Sequence, residues 1–347
     1  MAKKKLIIRG GMIGGAVVIL LAITCGGILY SRIVSPNLVN VTQDSVYFFV
    51  KTGSGYPQVY IDFKKSGWLR HEKGFDWVAK RKGYPERVKP GRYLLTKGMS
   101  NSDIVNLLRS GRQSELDLVF NTTRHFDRLA GVLSKQIEAD SASLIAAFRD
   151  TAVMASYGFT PKNWAAMFIP NTYRFFWNTD VSQFLNRMKR EYDSFWNETR
   201  LSRLKEIGLD RFEVIALASI VQEETFKADE MPRVAGAYMN RLKKGIRLQA
   251  DPTVIYAWQD FTIRRVLHRH LLIESPYNTY KYAGIPPGPI RIPSVQAIDA
   301  CLNYEKHDYI YFCAKEDFSG YHSFAKTYSD HLANARRYQR MLNKTKE

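Results

Sequence analysis

The chain has 347 residues, of which 45% are hydrophobic and 24% charged, so it is long enough for two or three domains with buried cores. This composition excludes a disordered or fibrous protein. The formal net charge of +18 indicates an acidic partner, but charge alone does not choose between nucleic acid, anionic lipid headgroups and an anionic polymer.

An uncharged apolar stretch, residues 10–31, follows the basic residues Lys3, Lys4, Lys5 and Arg9. A helix needs roughly 20 apolar residues to cross a bilayer core of about 30 Å, so this stretch is long enough. The positive-inside rule then places the N-terminus in the cytoplasm and all that follows Arg32 outside it. The alternatives are a cleaved signal peptide, although no small-x-small cleavage site follows, and a buried soluble helix. We predict an uncleaved single-pass anchor over residues 1–35 of a plasma (inner) membrane protein.

Residues 36–112 alternate short predicted strands and helices. Strands are predicted at residues 45–50 and 58–61, and part of a short helix at residues 75–79. A turn then leads into a strand at residues 88–95, and a helix follows with Ser100 as its N-cap and Gly111 at its end. This order resembles a LysM-like carbohydrate-binding subdomain, although the same pattern occurs in other small α+β modules.

Residues 113–209 are predicted to be mainly helical after an opening strand at residues 116–120. The apolar spacing predicts helices over residues 126–139, 141–148 and 181–197. Between them, residues 168–176 combine aromatic side chains with a proline. Such a loop either lines a sugar-binding cleft or contributes its rings to the core.

The segment from residue 212 onwards begins as an almost entirely apolar helix that ends in two carboxylates, Glu223 and Glu224. A helix that is apolar on all sides is a core helix, and burial favours the neutral acid and raises its pKa. Glu224 lies four residues after Ile220 and three after Val221, so it continues the apolar stripe. We therefore favour Glu224 as a general acid, the alternative being two solvated glutamates at a helix end.

A second helix follows the glutamates, with Pro232 near its start and Gly245 at its end. Beyond it, proline- and glycine-rich polar loops cover residues 247–254, 275–280 and 284–290. Their side chains suit the orientation of hydroxyls and amides, although the same residue types also stabilise turns. The candidate substrate-binding residues are Gln249, Asp251, Thr253, Tyr277, Asn278, Tyr280 and, further on, His322.

The cysteines and histidines do not indicate a metal site or another cofactor. Cys25 lies in the predicted anchor, and Cys301 and Cys313 are predicted to be buried thiols rather than a disulfide. No Cys-x-x-Cys or histidine spacing is present. The basic cluster at residues 264–270 is interpreted as a solvated face, with contact to acidic peptide groups as the alternative.

Six motifs, in this order and at suitable intervals, resemble the endolytic murein transglycosylase family of MltG-like or YceG-like proteins. They are IVQEET at 220–225, NRL at 240–242, LQADPT at 248–253, SPYNTY at 275–280, GIPPGPI at 284–290 and HSF at 322–324. The resemblance covers nearly the whole chain. The chain departs from the family pattern at Gln222, where many relatives carry an acid, and at Asn171, where the family usually has aspartate.

The resemblance implies a membrane-anchored enzyme that cuts peptidoglycan strands internally, between N-acetylmuramic acid and N-acetylglucosamine. The family's catalytic glutamate precedes a threonine, which matches Glu224 before Thr225. The resemblance also implies action on nascent strands beside peptidoglycan synthases. Two alternatives remain, namely a lysozyme-like hydrolase that uses Asp251 as a second carboxylate, and a non-catalytic glycan-binding protein.

The predicted fold class is therefore α+β, with a transmembrane helix, a small LysM-like subdomain and a larger mixed catalytic domain. The catalytic domain is predicted at residues 113–347, with a mainly helical part at 113–209 and a core at 210–347. A nucleic-acid partner is disfavoured, because the basic residues are scattered over a domain predicted to lie outside the cytoplasm.

Overall fold

A computed structural model of the chain describes the backbone of residues 2–344 and the side chains of residues 17–344. The chain forms two compact units. The first comprises the chain up to residue 117 together with residues 136–138 and 174–179, and the second comprises residues 118–135, 139–173 and the chain from residue 180 onwards. The basic side chains Lys3 to Arg9, on which the predicted orientation depends, lie outside the described side chains.

Helices and short strands alternate along the chain, which confirms the predicted α+β class. The helices are α1 (Ala2–Val34), α2 (Tyr56–Ser66), α3 (Glu72–Arg81), α4 (Asn101–Ser110), α5 (Phe126–Leu133), α6 (Ser141–Arg149), α7 (Thr151–Ser156), α8 (Val181–Phe195), α9 (Glu198–Ile207), α10 (Arg211–Glu224), α11 (Met231–Lys243), α12 (Asp251–Trp258), α13 (His268–Leu271), α14 (Val295–Leu302) and α15 (Tyr328–Lys344). The strands are β1 (Ser45–Val50), β2 (Gly91–Thr96), β3 (Glu115–Phe120), β4 (Asn171–Phe176), β5 (Tyr311–Ala314) and β6 (His322–Ala325).

Helix α1 contains the one segment of the described chain that is long and apolar enough to cross a membrane. This segment is Val17–Val34, and none of it is buried inside the protein. An exposed apolar helix of this length is consistent with a membrane anchor. The direction in which it crosses stays a prediction.

The core of the first unit lies between α2, α3, α4 and the antiparallel pair β1–β2. In this pair Ser45 lies opposite Thr96 and Val50 opposite Gly91. The rings of Phe48 and Phe63 stack in the core with their centroids 3.8 Å apart. Strands β1 and β2 were predicted, as was the order in which β2 is followed by α4.

The predicted ends of α4 are confirmed, whereas one strand prediction in the same unit is wrong. The Ser100 side chain accepts a hydrogen bond from the Asp103 N–H in a capping box, and Gly111 ends the helix at a φ of 73°. Residues 58–61, predicted as a strand, lie in α2. The buried residues of α2 are Tyr56, Val59 and Phe63, and this spacing of three and four residues is helical.

Helix α10 is the central element of the second unit, because α11, α12 and α14 pack around it. Every residue from Val214 to Gln222 is buried, as the apolar run predicted. The helix starts after Asp210, whose side chain accepts hydrogen bonds from the Phe212 and Glu213 N–H groups. Its last residue is Glu224, so the end of the most deeply buried helix carries the candidate acid.

Two predictions for residues 113–347 are corrected, and one question that the sequence left open is answered. The helix predicted over residues 126–139 ends at Leu133. The aromatic segment 168–176 is in part the strand β4, and Phe168 packs edge-on against Trp164 with a centroid distance of 5.3 Å. Phe168 is also buried, so its ring belongs to the core rather than to a sugar cleft. The polar loop predicted at residues 247–254 becomes helical at Asp251, where Pro252 occupies one of the first helical positions.

The segment 284–292 passes close over other parts of the second unit. The Ile290 N–H donates a hydrogen bond to the Ser219 hydroxyl of α10 at 2.9 Å. A side chain at Gly288 would place its Cβ atom 1.8 Å from the backbone oxygen of Lys162. Only glycine fits there, so the segment lies closely against the backbone at Lys162.

Candidate active site

Glu224 lines a cavity of about 380 Å³. The Tyr238 hydroxyl, from the neighbouring helix α11, donates a hydrogen bond to Glu224 Oε1 at 2.7 Å. Glu224 is partly exposed and faces the cavity. Tyr238 is buried, with 1% of its surface exposed. The carboxyl group of Glu224 is thus held towards the cavity by a buried hydrogen-bond partner.

Burial raises the pKa of Glu224 to about 7. The negative charges of Asp251 and Glu223 raise this pKa further, while the hydrogen bond from Tyr238 lowers it. A carboxylic acid that titrates near neutral pH can both give and take a proton at that pH. The buried environment that raises the pKa of Glu224, predicted from the apolar stripe, is therefore present.

The preceding residue, Glu223, has different surroundings. Its side chain is 6% exposed and accepts hydrogen bonds from Arg291 Nη1 at 2.9 Å and from Arg124 Nε at 2.5 Å. Both contacts are charge-assisted hydrogen bonds, so the carboxylate of Glu223 is occupied by two guanidinium groups. The two adjacent glutamates therefore differ in character, with Glu223 as a paired anion and Glu224 as the titrating acid.

Four of the predicted substrate-binding residues line the cavity with Glu224: Gln249, Asp251, Tyr280 and His322. The Tyr280 hydroxyl donates to Asp251 Oδ1 at 2.5 Å. Burial raises the pKa of Asp251, and the hydrogen bond from Tyr280 opposes this effect. Gln249 has a φ of 53°, in the left-handed region, and its side-chain oxygen accepts a hydrogen bond from Arg241.

The other three predicted residues do not reach the cavity. The Thr253 hydroxyl donates to the Ala250 carbonyl at 2.7 Å, and the Asn278 amide donates to the Leu271 and Ile273 carbonyls, both at 2.9 Å. Both side chains are 0% exposed. Tyr277 packs its ring against Tyr256 with a centroid distance of 4.8 Å. These three side chains do not line the cavity, and Thr253 and Asn278 form hydrogen bonds to nearby backbone carbonyls instead, so their role in sugar binding stays a prediction.

His322 is held at the cavity wall by a buried carboxylate. Glu230, 3% exposed, accepts the His322 backbone N–H at 2.7 Å and contacts His322 Nδ1 at 2.9 Å. This pair joins β6 to the start of α11. The imidazole ring is thereby fixed where it faces the same cavity as Glu224.

The sequence did not single out several residues of the cavity. Tyr238 has the spacing of a core residue on α11, and no local signal distinguishes it from one. Arg241 is buried and donates to the Arg247 carbonyl at 2.9 Å and the Ile310 carbonyl at 2.7 Å, which holds two cavity segments together. An aromatic wall of the cavity consists of Tyr311, Phe312, Tyr328 and His331.

The sequence also singled out the cysteines, Gln222 and the basic cluster at residues 264–270. Cys301 is buried and Cys313 half-buried, both as free thiols, and Cys313 lines the cavity. Gln222 accepts a hydrogen bond from the Ser294 hydroxyl at 2.5 Å, so it serves as a buried structural amide. Within residues 17–344 no group of three or more His, Cys, Asp or Glu side chains is arranged to hold a metal ion. In the basic cluster, Arg264, Arg265 and Arg269 are exposed and do not line the cavity.

The Tyr238 hydroxyl makes a testable contribution to the proton affinity of Glu224. Its hydrogen bond stabilises the carboxylate, so Tyr238→Phe is expected to raise the pKa of Glu224. If protonated Glu224 is the active form, activity falls as the pH rises through that pKa, and this fall should move to higher pH in the variant. The measurement is the pH dependence of kcat. A Tyr304→Phe variant, which loses only a hydroxyl contact with Lys243 at 2.7 Å, should keep the wild-type profile, and an unshifted Tyr238→Phe profile would contradict the role.

Comparison with known proteins gives one consistent family. The profile of the YceG-like family matches residues 48–337. The chain is 28% identical to a Bacillus subtilis protein named endolytic murein transglycosylase, over 90% of each chain. It is 26% identical to a protein of the same name from Streptococcus pneumoniae, over 91% of this chain and 63% of that relative's length. A solved structure of a YceG-like protein from Listeria monocytogenes shares the fold, with a TM-score of 0.54, 24% identity and coverage of 84% of this chain and 99% of the other. The chain belongs to the YceG-like family.

Proposed function

We propose that this protein is an endolytic lytic transglycosylase that cleaves the bond between N-acetylmuramic acid and N-acetylglucosamine within peptidoglycan strands. Two relatives that match about 90% of the chain carry the name endolytic murein transglycosylase. The observation that carries the proposal is Glu224, whose pKa is raised to about 7 at a cavity large enough for sugar rings. Such an acid is what one-carboxylate glycan cleavage requires.

Glu224 performs two proton transfers in this mechanism. Its protonated form gives the proton to the glycosidic oxygen, and the bond between that oxygen and C1 of the muramic sugar breaks. The resulting carboxylate then takes the proton of the C6 hydroxyl of the same muramic sugar, and the C6 oxygen attacks C1. The product is a 1,6-anhydro sugar, no water is consumed, and Glu224 returns to its protonated form.

The cavity residues divide into two groups that suit a sugar substrate. Gln249, Asp251, Tyr280 and His322 provide polar groups for sugar hydroxyls and amides near Glu224. Tyr311 and Tyr328, on the aromatic wall, provide faces on which sugar rings stack. Thr253, Tyr277 and Asn278 act indirectly, by holding the loops that carry the first group.

The exposed apolar segment of α1 supports an anchored enzyme that works close to a membrane. We place the N-terminus in the cytoplasm and the catalytic unit outside it, on the positive-inside rule. Residues 36–112 are proposed to bind glycan as a LysM-like subdomain. An anchored endolytic enzyme would meet strands as they are made, so peptidoglycan synthases are its proposed partners.

The second candidate function is lysozyme-like hydrolysis, because Asp251 is a second carboxylate in the same cavity. A retaining hydrolase would use Asp251 as a nucleophile, and an inverting one would use it to activate a water molecule. Both routes add water across the broken bond. The two functions therefore differ in the mass of the new chain end.

Product analysis tests the proposal. Uncrosslinked glycan is digested with the full chain, and the new ends are identified by mass spectrometry. Anhydro ends, lighter by one water than reducing ends, are expected throughout, with fragments of intermediate length because the cut is internal. Reducing ends would favour hydrolysis with Asp251, and undigested glycan would favour a non-catalytic binding protein.

A further inference from the structure

A second cavity, of about 610 Å³, lies in the first unit where α1 ends. Its lining includes Ile28, Ser31 and Arg32 from α1, and Arg70, His71 and Lys73 around the start of α3. We propose that this cavity binds the phosphate headgroup of a membrane lipid. The inference rests on the proposed membrane anchor and does not depend on the chemistry of Glu224.

The charge of the cavity favours an anion. Arg32, Arg70 and Lys73 are exposed, and none of them forms an ion pair within the described part of the chain. No aspartate or glutamate is among the described lining residues. By contrast, Lys80 at the other end of α3 pairs with Asp76 at 2.8 Å. Three unpaired cations around one cavity repel each other, and a bound phosphate removes that repulsion.

The position of the cavity favours a lipid as the carrier of that phosphate. The exposed apolar side chains of α1 continue to Val34, which is 44% exposed, and Ile28 at the rim is 52% exposed. Tyr30, 69% exposed, and Arg32 lie near the end of this segment. Tyrosine and arginine at the end of an apolar span lie at the level of lipid headgroups. An acyl chain along α1 would therefore lead its phosphate to Arg32, and the volume is that of a small-molecule site.

Buried amides hold the walls of this cavity in place. Asn101 donates to the Arg32 carbonyl at 2.7 Å, and Asn37 Oδ1 accepts the His71 backbone N–H at 2.7 Å. Asn37 also donates to Asn101 Oδ1 at 2.6 Å, and both asparagines are 2% exposed. These bonds fix the end of α1 against the start of α3. The cations are thus grouped before any ligand arrives, which lowers the entropy cost of binding.

Two lipids share the required chemistry. One is an anionic glycerophospholipid, and the other is a polyprenyl diphosphate, the type of carrier from which a growing glycan strand extends. The second would bring a lipid-linked strand to the same protein that cuts it. Both have a phosphate headgroup at the membrane surface, and the test separates them.

The test is native mass spectrometry of the full chain in a neutral detergent, titrated separately with phosphatidylglycerol, undecaprenyl diphosphate and phosphatidylcholine. The variant is Arg70→Gln with Lys73→Gln, and its matched control is Lys64→Gln with Lys65→Gln on the exposed face of α2. Because one cation near a membrane surface contributes about fivefold to the attraction of an anionic lipid, the variant should bind about thirtyfold more weakly. The control and the wild type should bind alike.

The outcomes are distinct. Equal retention of the two anionic lipids supports a general headgroup site, and preferential retention of the diphosphate supports a site for lipid-linked glycan. Weaker binding by the control to the same extent as by the variant, or binding of phosphatidylcholine equal to that of the anionic lipids, would overturn the proposal. Digestion of soluble glycan by the wild type is measured in parallel. A wild type that fails to digest glycan would refute the proposed function without affecting the lipid result.

Discussion

Glu224→Gln is expected to abolish strand cleavage while the chain still folds. Glutamine keeps the shape of the side chain and can still accept the hydrogen bond from Tyr238, but it has no acidic proton to give. General acid–base catalysis by one group contributes roughly 10²–10⁴-fold, so the loss in kcat should be at least of this order. The measurement is the release of new ends from uncrosslinked glycan by purified protein.

Glu206→Gln is the matched control for this experiment. Glu206 lies on α9 in the second unit and pairs with Arg203 at 2.6 Å on the surface, with about half of its side chain exposed. Loss of such an exposed pair changes stability by at most about 1 kcal/mol. Its activity should therefore equal that of the wild type. Undiminished cleavage by Glu224→Gln, with anhydro ends still formed, would reject Glu224 as the acid.

Glu223→Gln is expected to lower the stability of the second unit, whereas Glu224→Gln should raise it at alkaline pH. Removal of Glu223 leaves Arg291, 10% exposed on its side chain, without its counter-charge. Removal of one partner from a buried ion pair costs about 3 kcal/mol or more of unfolding free energy. For a unit of this size, the loss corresponds to a drop in Tm of roughly 6–12 °C.

The opposite sign for Glu224 follows from its raised pKa. The pKa rises from 4.5 to about 7 on folding, so the folded state holds the proton more tightly than the unfolded state. The stability that this proton provides is full below pH 4.5 and is lost as the pH rises through 7. The upper limit of the effect is about 3 kcal/mol. Glutamine does not titrate, so the gain from Glu224→Gln should appear above pH 7 and vanish near pH 4.

Thermal unfolding of the full chain in mild detergent at pH 5 and pH 8, followed by tryptophan fluorescence, measures both effects. The second unit contains the buried residues Trp164 and Trp196, which report on its core. Glu223→Gln should be destabilised at both pH values, and Glu224→Gln should be stabilised only at pH 8. Equal Tm changes for the two variants would contradict the assignment of one paired anion and one titrating acid.

The helical part of this fold was predictable where a local pattern was strong. The burial of α10 and the phase of Glu224 follow from apolar residues at helical spacing, and the caps of α4 follow from the residue types at its two ends, Ser100 and Gly111. The error in α2 has a local cause, since Val59, Tyr60 and Ile61 are residue types that favour strands. Burial of Tyr56, Val59 and Phe63 on one face of a helix outweighs that preference in the folded unit.

The site was predictable only in part, because local sequence does not determine the direction of a side chain in a loop. Gln249 and Asp251 face the cavity, but Thr253, two residues further on, is buried against Thr279 with an oxygen-to-oxygen distance of 2.8 Å. The start of α12 at Asp251 turns these side chains in different directions. Tyr238 and the aromatic wall come from α11, β5 and α15, so only folding brings them to Glu224.

The sequence by itself determined that one carboxyl group ends a fully apolar helix, that an apolar segment precedes the folded part, and that the motifs of one family occur in order. These are local properties, set by the period of the helix and by the residue types at each turn. Only the tertiary structure decided that Glu223 is neutralised by two arginines while Glu224 meets a tyrosine and a cavity. The physical reason is that a pKa depends on the charges and the solvent around a group, and those come from segments far apart in the chain.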